Sequence, residues 1–149
     1  MCGIVGITSS KEVTSRIIGS LKKLEYRGYD SAGIATISEN NINEVKCEGR
    51  VNELEKNVNQ IKLSGTIGIG HVRWATHGKP STINAHPHSS DNVSVVHNGI
   101  IENSTILKKI LEKKGYKFKS QTDTEVIVHL VTDYLKKNNL KDTIIKVLK

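Results

Sequence analysis

The order of apolar runs along the chain constrains its fold more than any other sequence feature. Short β-branched runs predict strands at residues 2–8, 31–38, 42–48, 66–74 and 93–96. Apolar residues at helical spacing predict helices at 11–25, 51–61, 103–114, 122–137 and from 140 onward. Some strands follow one another with no helix between them, so the strict alternation of a parallel sheet is missing. The order therefore predicts a layered α+β fold, and 149 residues are typical of one domain.

The apolar residues of the predicted helices fall on single stripes, which we expect to face the core. These stripes are Val13, Ile17, Leu21 and Leu24; Val51, Leu54, Val58 and Ile61; Ile106, Leu107, Ile110 and Leu111; and Val126, Ile127, Leu130, Val131 and Tyr134. The Asn40-Asn41 pair predicts a turn between two strands. Gly115 is a typical residue to end the helix at 103–114.

Residues 75–92 show no periodicity and contain both prolines, Gly78 and three of the six histidines. This pattern predicts a long loop. Loops longer than about 12–15 residues inside compact domains are usually functional or disordered. We therefore expect this one to act as a lid over a binding site.

Composition excludes several classes of protein. No apolar run approaches the roughly 18 residues of a membrane span, and no basic flank precedes the short apolar N-terminus, so neither a span nor a signal peptide is predicted. Two cysteines provide no disulfide framework and fit a reducing cytoplasm. Residues 104–149 hold 11 Lys and Arg against 5 Asp and Glu, which indicates a solvated lysine face or, alternatively, a phosphate-binding surface. One Phe, one Trp and four Tyr leave little for base stacking, so nucleic acid is not the expected partner.

Cys2 is the first candidate for chemistry. Removal of Met1 would leave Cys2 with a free α-amino group, which titrates at about 7.7–8.0 and can act as a base beside the thiol. A nucleophile activated by its own terminal amine is a known arrangement. The alternative is a buried structural cysteine at the start of a strand. Cys47 has no such setting and is expected to be a half-buried thiol.

Asn98-Gly99 lies between two apolar runs, and such a pair most often marks a hairpin turn. The alternative is an oxyanion hole formed by the amide side chain and the next backbone N–H, as acyl transfer requires. Arg73 and Asp123 provide a cation and an anion that could hold an α-amino acid by its carboxylate and its ammonium. An ordinary ion pair, or a helix cap formed by Asp123, would explain them equally well.

The histidines do not match a metal site. Their spacings fit neither a paired-cysteine site nor His-Glu-Xaa-Xaa-His. Gly68-Ile69-Gly70 lacks the third glycine of a dinucleotide-binding loop and leads into a strand. We therefore predict neither a metal nor a cofactor.

Six stretches of the chain resemble, in the same order, the glutaminase domain of class II glutamine amidotransferases. They are Cys2-Gly3-Ile4-Val5-Gly6, Glu25-Tyr26-Arg27-Gly28-Tyr29-Asp30-Ser31-Ala32-Gly33, His71-Val72-Arg73-Trp74-Ala75-Thr76-His77-Gly78, Asn84-Ala85-His86-Pro87-His88, His97-Asn98-Gly99-Ile100-Ile101-Glu102-Asn103 and Thr122-Asp123-Thr124-Glu125-Val126. The second and third stretches resemble the glucosamine-6-phosphate synthase branch of that class in particular.

The resemblance implies an N-terminal-nucleophile (Ntn) hydrolase fold, a four-layer αββα sandwich of antiparallel sheets. It implies that Cys2 attacks the side-chain amide of glutamine, that its α-amine is the base, and that Asn98 and the Gly99 N–H form the oxyanion hole. On this basis the oxyanion interpretation of Asn98-Gly99 replaces the hairpin. Arg27 and His86 are implied to be supporting residues.

The resemblance also implies a binding pocket for L-glutamine. Arg73 is implied to bind the glutamine carboxylate and Asp123 its ammonium. Trp74, Thr76 and His77 are implied to line the same pocket, and residues 73–81 to close over it and exclude water from a thioester.

In the family the glutaminase domain continues beyond position 149, and a sugar-phosphate isomerase domain follows it. We therefore expect residues 1–149 to be an incomplete amidotransferase domain, whose open sheet edge favours homo-oligomerisation. Ammonia from glutamine would reach fructose 6-phosphate on an isomerase domain or on a separate acceptor subunit. The alternatives are a stand-alone glutaminase that donates ammonia to a partner, and a catalytically silent glutamine-binding module.

Overall fold

A computed structural model describes residues 2–75, 78–90 and 92–148. Its main element is a four-stranded antiparallel sheet with the strand order β1-β4-β2-β3. The strands are β1 (Gly3–Thr8), β2 (Ser31–Ser38), β3 (Asn41–Glu48) and β4 (Ile67–Arg73). Each lies within one or two residues of its predicted range, and the α+β prediction is confirmed.

Two helices, α1 (Thr14–Leu24) and α2 (Val51–Ile61), cover one face of this sheet. Their stripe residues Ile17, Leu21 and Leu54 are fully buried there. Small residues of β4 allow α1 to lie close to the sheet, because a Cβ atom added to Gly70 would lie 2.6 Å from the Ile17 side chain. The core of the domain sits in this layer.

The second half of the chain forms the other layers. Its elements are β5 (His88–Ser89), β6 (Ser94–Val95), α3 (Ser104–Lys113), α4 (Glu125–Leu135) and α5 (Leu140–Val147). β5 and β6 pair as a small antiparallel sheet, and α4 packs against both strands and against α3 and α5. An apolar cavity of about 390 Å³ separates α4 and α5 from the open face of the large sheet.

Several predicted apolar positions are exposed instead of buried. Ile61 of α2 and Ile106 and Ile110 of α3 face solvent, whereas Leu111 is fully buried. α3 contacts the rest of the described structure mainly through α4, so one narrow line of its surface is covered. Helical spacing alone identified too wide a face.

The region between residues 75 and 96 also differs from the prediction. The expected loop contains the short strand β5, and the expected buried strand 93–96 is reduced to the two half-buried residues of β6. The turn between β2 and β3 is formed by Glu39 and Asn40, both at positive φ, one residue earlier than expected. Cys47 is buried rather than half-buried, because it lies in the core under α2.

No helix in the described ranges is long and apolar enough to cross a membrane.

Candidate active site

A cavity of about 370 Å³ lies where β1 begins and β4 ends. Its lining residues are Cys2, Arg73, Trp74, His86, His97, Asn98, Gly99, Ile100, Thr122, Asp123 and Thr124. The antiparallel register, in which Gly3 pairs with Val72, places Cys2 beside Arg73 and Trp74. The volume is at the lower end of the range for small-molecule sites.

Cys2 is held from three directions. The Trp74 N–H donates to the Cys2 sulfur at 3.3 Å, and the thiol lies 3.6 Å from the Trp74 carbonyl oxygen. The Cys2 carbonyl oxygen accepts hydrogen bonds from Arg27 Nε at 3.1 Å and Asn98 Nδ2 at 3.2 Å. The sulfur is therefore held at a fixed position in the cavity wall, which suits a nucleophile.

The segment carrying Asn98 and Gly99 is not a hairpin within the described residues, since β6 ends at Val95 and the next element is α3. It crosses the cavity as irregular chain. His97 anchors it, because His97 Nδ1 lies 3.1 Å from Thr124 Oγ1. The segment thus places the Asn98 amide next to Cys2, and Gly99 lines the same cavity.

Arg73 and Asp123 face the same cavity from different elements. Arg73 is almost fully buried at the end of β4, where its Nη2 donates to the Gly78 carbonyl oxygen at 3.0 Å and its Nη1 lies 3.9 Å from Asp30 Oδ1. Asp123 precedes α4 and accepts the Ile101 N–H at 2.6 Å. Asp123 is therefore tied to the Asn98 segment and does not cap the helix.

Trp74 lies at the rim of the cavity with 47% of its surface exposed. Its ring packs edge-on against Tyr29, with the ring centres 5.5 Å apart. The backbone beneath is tightly packed, because a Cβ atom added to Gly28 would lie 2.5 Å from the Arg73 carbonyl carbon. The predicted pocket residues Thr76 and His77 lie outside the described residues.

His86 belongs to a buried histidine cluster, with His71 and His88, beside the cavity. The His71 and His86 rings stack at 4.4 Å, and the His86 and His88 rings meet edge-on at 4.6 Å. Burial lowers the pKa of His71 and of His88 to about 4. Burial and the neighbouring His71 lower the pKa of His86 further still. All three rings are therefore neutral at pH 7, and the described residues contain no group of three or more ligands arranged for a metal ion.

Sequence reasoning missed three polar anchors around the site. Asp30 accepts the Ala75 N–H and the Ser31 hydroxyl, which fixes the chain just after Arg73. Glu125 accepts hydrogen bonds from Lys119 N, Ser120 N and Ser120 Oγ at 2.7–2.8 Å. Burial opposes ionisation of Glu125, but these bonds and the nearby His129 outweigh it and lower its pKa to about 2.

The third anchor is Asn84, a buried residue between the lid stretch and the residues before Asp123. All three anchors lie inside the six stretches that carry the resemblance. Their place in these stretches is the sequence signal that could have identified them. The contacts of Asp30 with Ala75 and of Asn84 with Gln121 join residues far apart in the sequence, so no spacing predicts them.

Comparison with known proteins gives concordant results. The profile of the family described as glutamine amidotransferase domain matches residues 71–145. The glutamine–fructose-6-phosphate aminotransferase (isomerizing) of Clostridium acetobutylicum is 57% identical over 150 residues, which cover 99% of this chain and 24% of that protein. The protein of the same name from Francisella tularensis is 60% identical over 133 residues, covering 88% of this chain and 22% of that protein.

Solved structures agree with the sequence matches. The glutamine phosphoribosylpyrophosphate amidotransferase from B. subtilis, complexed with ADP and GMP, aligns with a TM-score of 0.74 and 33% identity. A structure described as the allosteric regulatory enzyme of purine biosynthesis aligns with a TM-score of 0.76, also at 33% identity. Both alignments cover 99% of this chain and 32% of the other, so the amidotransferase fold is confirmed. The chain spans about a quarter of the length of the curated relatives it matches.

Proposed function

This chain belongs to the family of glutamine amidotransferase domains, and from that premise we propose that it hydrolyses L-glutamine to glutamate and ammonia. The observation that carries the proposal is the setting of Cys2. Cys2 lines a cavity of a size suited to small molecules, with the Trp74 N–H 3.3 Å from its sulfur and the Asn98 amide bound to its carbonyl oxygen.

The reaction proceeds through a thioester. The Cys2 sulfur attacks the side-chain carbonyl carbon of glutamine while the thiol proton passes to the α-amine of Cys2, which removal of Met1 exposes. The protonated amine then gives this proton to the departing nitrogen, so that ammonia leaves and the thioester remains. Water attacks the thioester with the same amine as base, which releases glutamate and restores the thiol. The intermediate divides one difficult step into two easier ones.

Asn98 and Gly99 stabilise the oxyanion in both steps. Charge develops on the former carbonyl oxygen, and preorganised donors next to the nucleophile stabilise it. The Asn98 amide reaches the Cys2 carbonyl oxygen at 3.2 Å, which sets it close to the reacting centre. Arg27, on the other side of that oxygen at 3.1 Å, supports the position of Cys2 without reacting.

Arg73 and Asp123 hold the amino-acid end of the substrate. The Arg73 guanidinium binds the α-carboxylate with the fork geometry that suits it, and the Asp123 carboxylate accepts from the α-ammonium. Trp74 lines the pocket, and Thr76 and His77 stay predicted substrate-binding residues. His86, kept neutral by burial, supports the cavity wall without adding a charge next to Arg73.

The ammonia would be used by an acceptor site beyond this chain. The names of the relatives point to fructose 6-phosphate, which would be aminated to glucosamine 6-phosphate on an isomerase domain or a separate subunit. We propose that residues 1–149 form part of the amidotransferase domain of such a cytoplasmic enzyme, which acts there without a metal or cofactor. The free state of both cysteines supports a reducing compartment.

The direct test is glutamate release from L-glutamine by the purified chain, with intact mass showing whether Met1 is removed. Cys2→Ala should show no activity, while Cys47→Ala serves as the control because that thiol lies in the core. Normal turnover by Cys2→Ala would refute the nucleophile. Tight glutamine binding without turnover, in a chain that lacks Met1, would favour the silent module.

A further inference from the structure

The side-chain amide of Asn84 is fully buried and fully used, although the proposed mechanism gives it no role. Asn84 is 1% exposed. Its Oδ1 accepts the Gln121 N–H at 2.8 Å, and its Nδ2 donates to the Lys79 carbonyl oxygen at 2.9 Å and to Gln121 Oε1 at 3.1 Å. The amide therefore bridges two segments that are 42 positions apart in the sequence.

The first of these segments, which contains Lys79, positions the Arg73 side chain. Lys79 follows Gly78, whose carbonyl oxygen accepts a hydrogen bond from Arg73 Nη2 at 3.0 Å. Gly78 has φ of +76° and packs against Asn84, since a Cβ atom added there would lie 2.8 Å from Asn84 Nδ2. A shift of the Asn84 amide would thus move the carbonyl group against which the guanidinium is set.

The second segment, which contains Gln121, positions Asp123. Gln121 is two residues before Asp123, and the turn around it is fixed from its far side by the Glu125 carboxylate. Thr122 Oγ1 lies 2.8 Å from His88 Nε2, which ties the turn to the histidine cluster as well. The turn is well anchored, and Asn84 links it to the Gly78–Lys79 segment by hydrogen bonds, beside the packing of the Gln121 side chain against Gly78.

We propose that Asn84 is a positioning residue that sets the separation between the Arg73 guanidinium and the Asp123 carboxylate. This inference rests on the proposed function, because it takes those two groups as the clamp for the α-carboxylate and the α-ammonium of an amino acid. Both ligand charges sit on one carbon, so the clamp tolerates little change in spacing. A misplacement of about 1 Å in a substrate-positioning group can cost about 10²-fold in reaction rate, which shows how sensitive such geometry is.

The reactivity of Cys2 separates this role from a general structural one. The sulfur is held by Trp74 and by the contacts of the Cys2 carbonyl oxygen, none of which involves Asn84. A small neutral thiol reagent such as iodoacetamide has no charged end for the clamp to hold. Loss of the Asn84 bridge should therefore weaken binding of amino acids and leave alkylation of Cys2 unchanged.

The test uses the 149-residue chain and the variants Asn84→Ala and Asn84→Asp. For Asn84→Ala we expect KM for L-glutamine and Kd for L-glutamate to rise about 10- to 100-fold, as for loss of buried hydrogen-bonding partners. We expect kcat and the rate of Cys2 alkylation by iodoacetamide to change by less than about 3-fold, which is well below the change expected from a lost hydrogen bond. Asn84→Asp keeps an acceptor for the Gln121 N–H and loses the donor to Lys79, so its KM should also rise.

Asn139→Ala is the control, because Asn139 caps α5 far from the cavity through a hydrogen bond from the Asp142 N–H at 2.9 Å. It should lower thermal stability without changing KM. The inference is overturned if Asn84→Ala and Asn84→Asp keep wild-type KM and Kd, or if alkylation slows in step with binding. It is also overturned if the unaltered chain does not bind L-glutamate. Binding of L-glutamate without hydrolysis of L-glutamine would instead overturn the proposed function alone.

Discussion

Lowering the pH from 7 to 5 should destabilise the fold strongly, because the buried histidine cluster is held neutral. In the unfolded chain each histidine titrates near 6.5, whereas burial lowers the pKa of His71 and His88 to about 4 in the folded chain. Below pH 6.5 the unfolded state therefore binds more protons than the folded state. Stability is lost as the pH falls through this window, and the loss saturates near pH 4.

The size of the effect follows from those two pKa values. Between pH 7 and pH 5 the loss is about 2 kcal/mol for His71 and the same for His88, hence about 4 kcal/mol together. His86 adds to the loss, because its pKa is lowered in the same direction. Glu125, with a pKa lowered from 4.5 to about 2, loses its contribution mainly below this window. Domains are typically stable by only about 5–15 kcal/mol, so the change is large.

Urea unfolding followed by circular dichroism, at half-unit pH steps from 7 to 5 and constant ionic strength, measures this loss. His88→Gln is the matched variant, since glutamine removes the titrating ring and can still bond to Thr122 Oγ1, 2.8 Å from the histidine nitrogen. Between pH 7 and pH 5, the free energy of unfolding of His88→Gln should fall by about 2 kcal/mol less than that of the unaltered chain. A loss under about 1 kcal/mol in the unaltered chain, or an unchanged loss in His88→Gln, would refute the reasoning.

Three further outcomes are expected. Asn98→Ala should lower kcat for glutamine about 10²- to 10³-fold with KM changed only a few-fold, because an oxyanion donor acts mainly in the transition state. Steady-state assays measure both constants, and a rise in KM as large as the fall in kcat would contradict this role. Asp123→Asn keeps the shape and removes the charge, so KM should rise about 10-fold or more while kcat falls less; calorimetry with L-glutamate checks the binding, and wild-type affinity would exclude the ammonium contact. Gly28→Ala places a Cβ atom 2.5 Å from the Arg73 carbonyl carbon and should cost about 1–3 kcal/mol of stability in thermal unfolding. The control Gly19→Ala should be neutral or stabilising, because its added Cβ atom meets nothing within 4 Å beyond the adjacent backbone of its own helix.

The large sheet was predictable because its strands are long enough to show β-branched patterns. β2 has the predicted bounds, and the other three strands differ by one or two residues. The two-residue strand β5 was not predicted, and β6 is shorter than the strand predicted at 93–96, since the pairing of such short strands depends on tertiary contacts. Ile106 and Ile110 follow helical spacing and are nevertheless exposed, because spacing does not reveal how little of α3 is covered.

The candidate site was predictable from resemblance more than from local chemistry. Residue type alone left Cys2 and Asn98 with ordinary structural explanations, and the order of the six stretches decided between them. The structure brings Cys2, Arg73, Asn98 and Asp123 to one cavity, while their roles in the reaction stay predictions. The role of Asn84 could not be predicted from the sequence, since the fold, and not the local sequence, brings its hydrogen-bonding partners to it.

The pairing of β1 with β4 makes this chain unusually sensitive to insertions and deletions in one short stretch. Side chains alternate between the faces of a strand, so sliding β1 by a single position would exchange its inward and outward residues and carry the sulfur away from Trp74. Within residues 4–8, changes of residue type should therefore be tolerated far better than changes of length. A survey of natural or engineered length variants would find this stretch almost invariant in residue count.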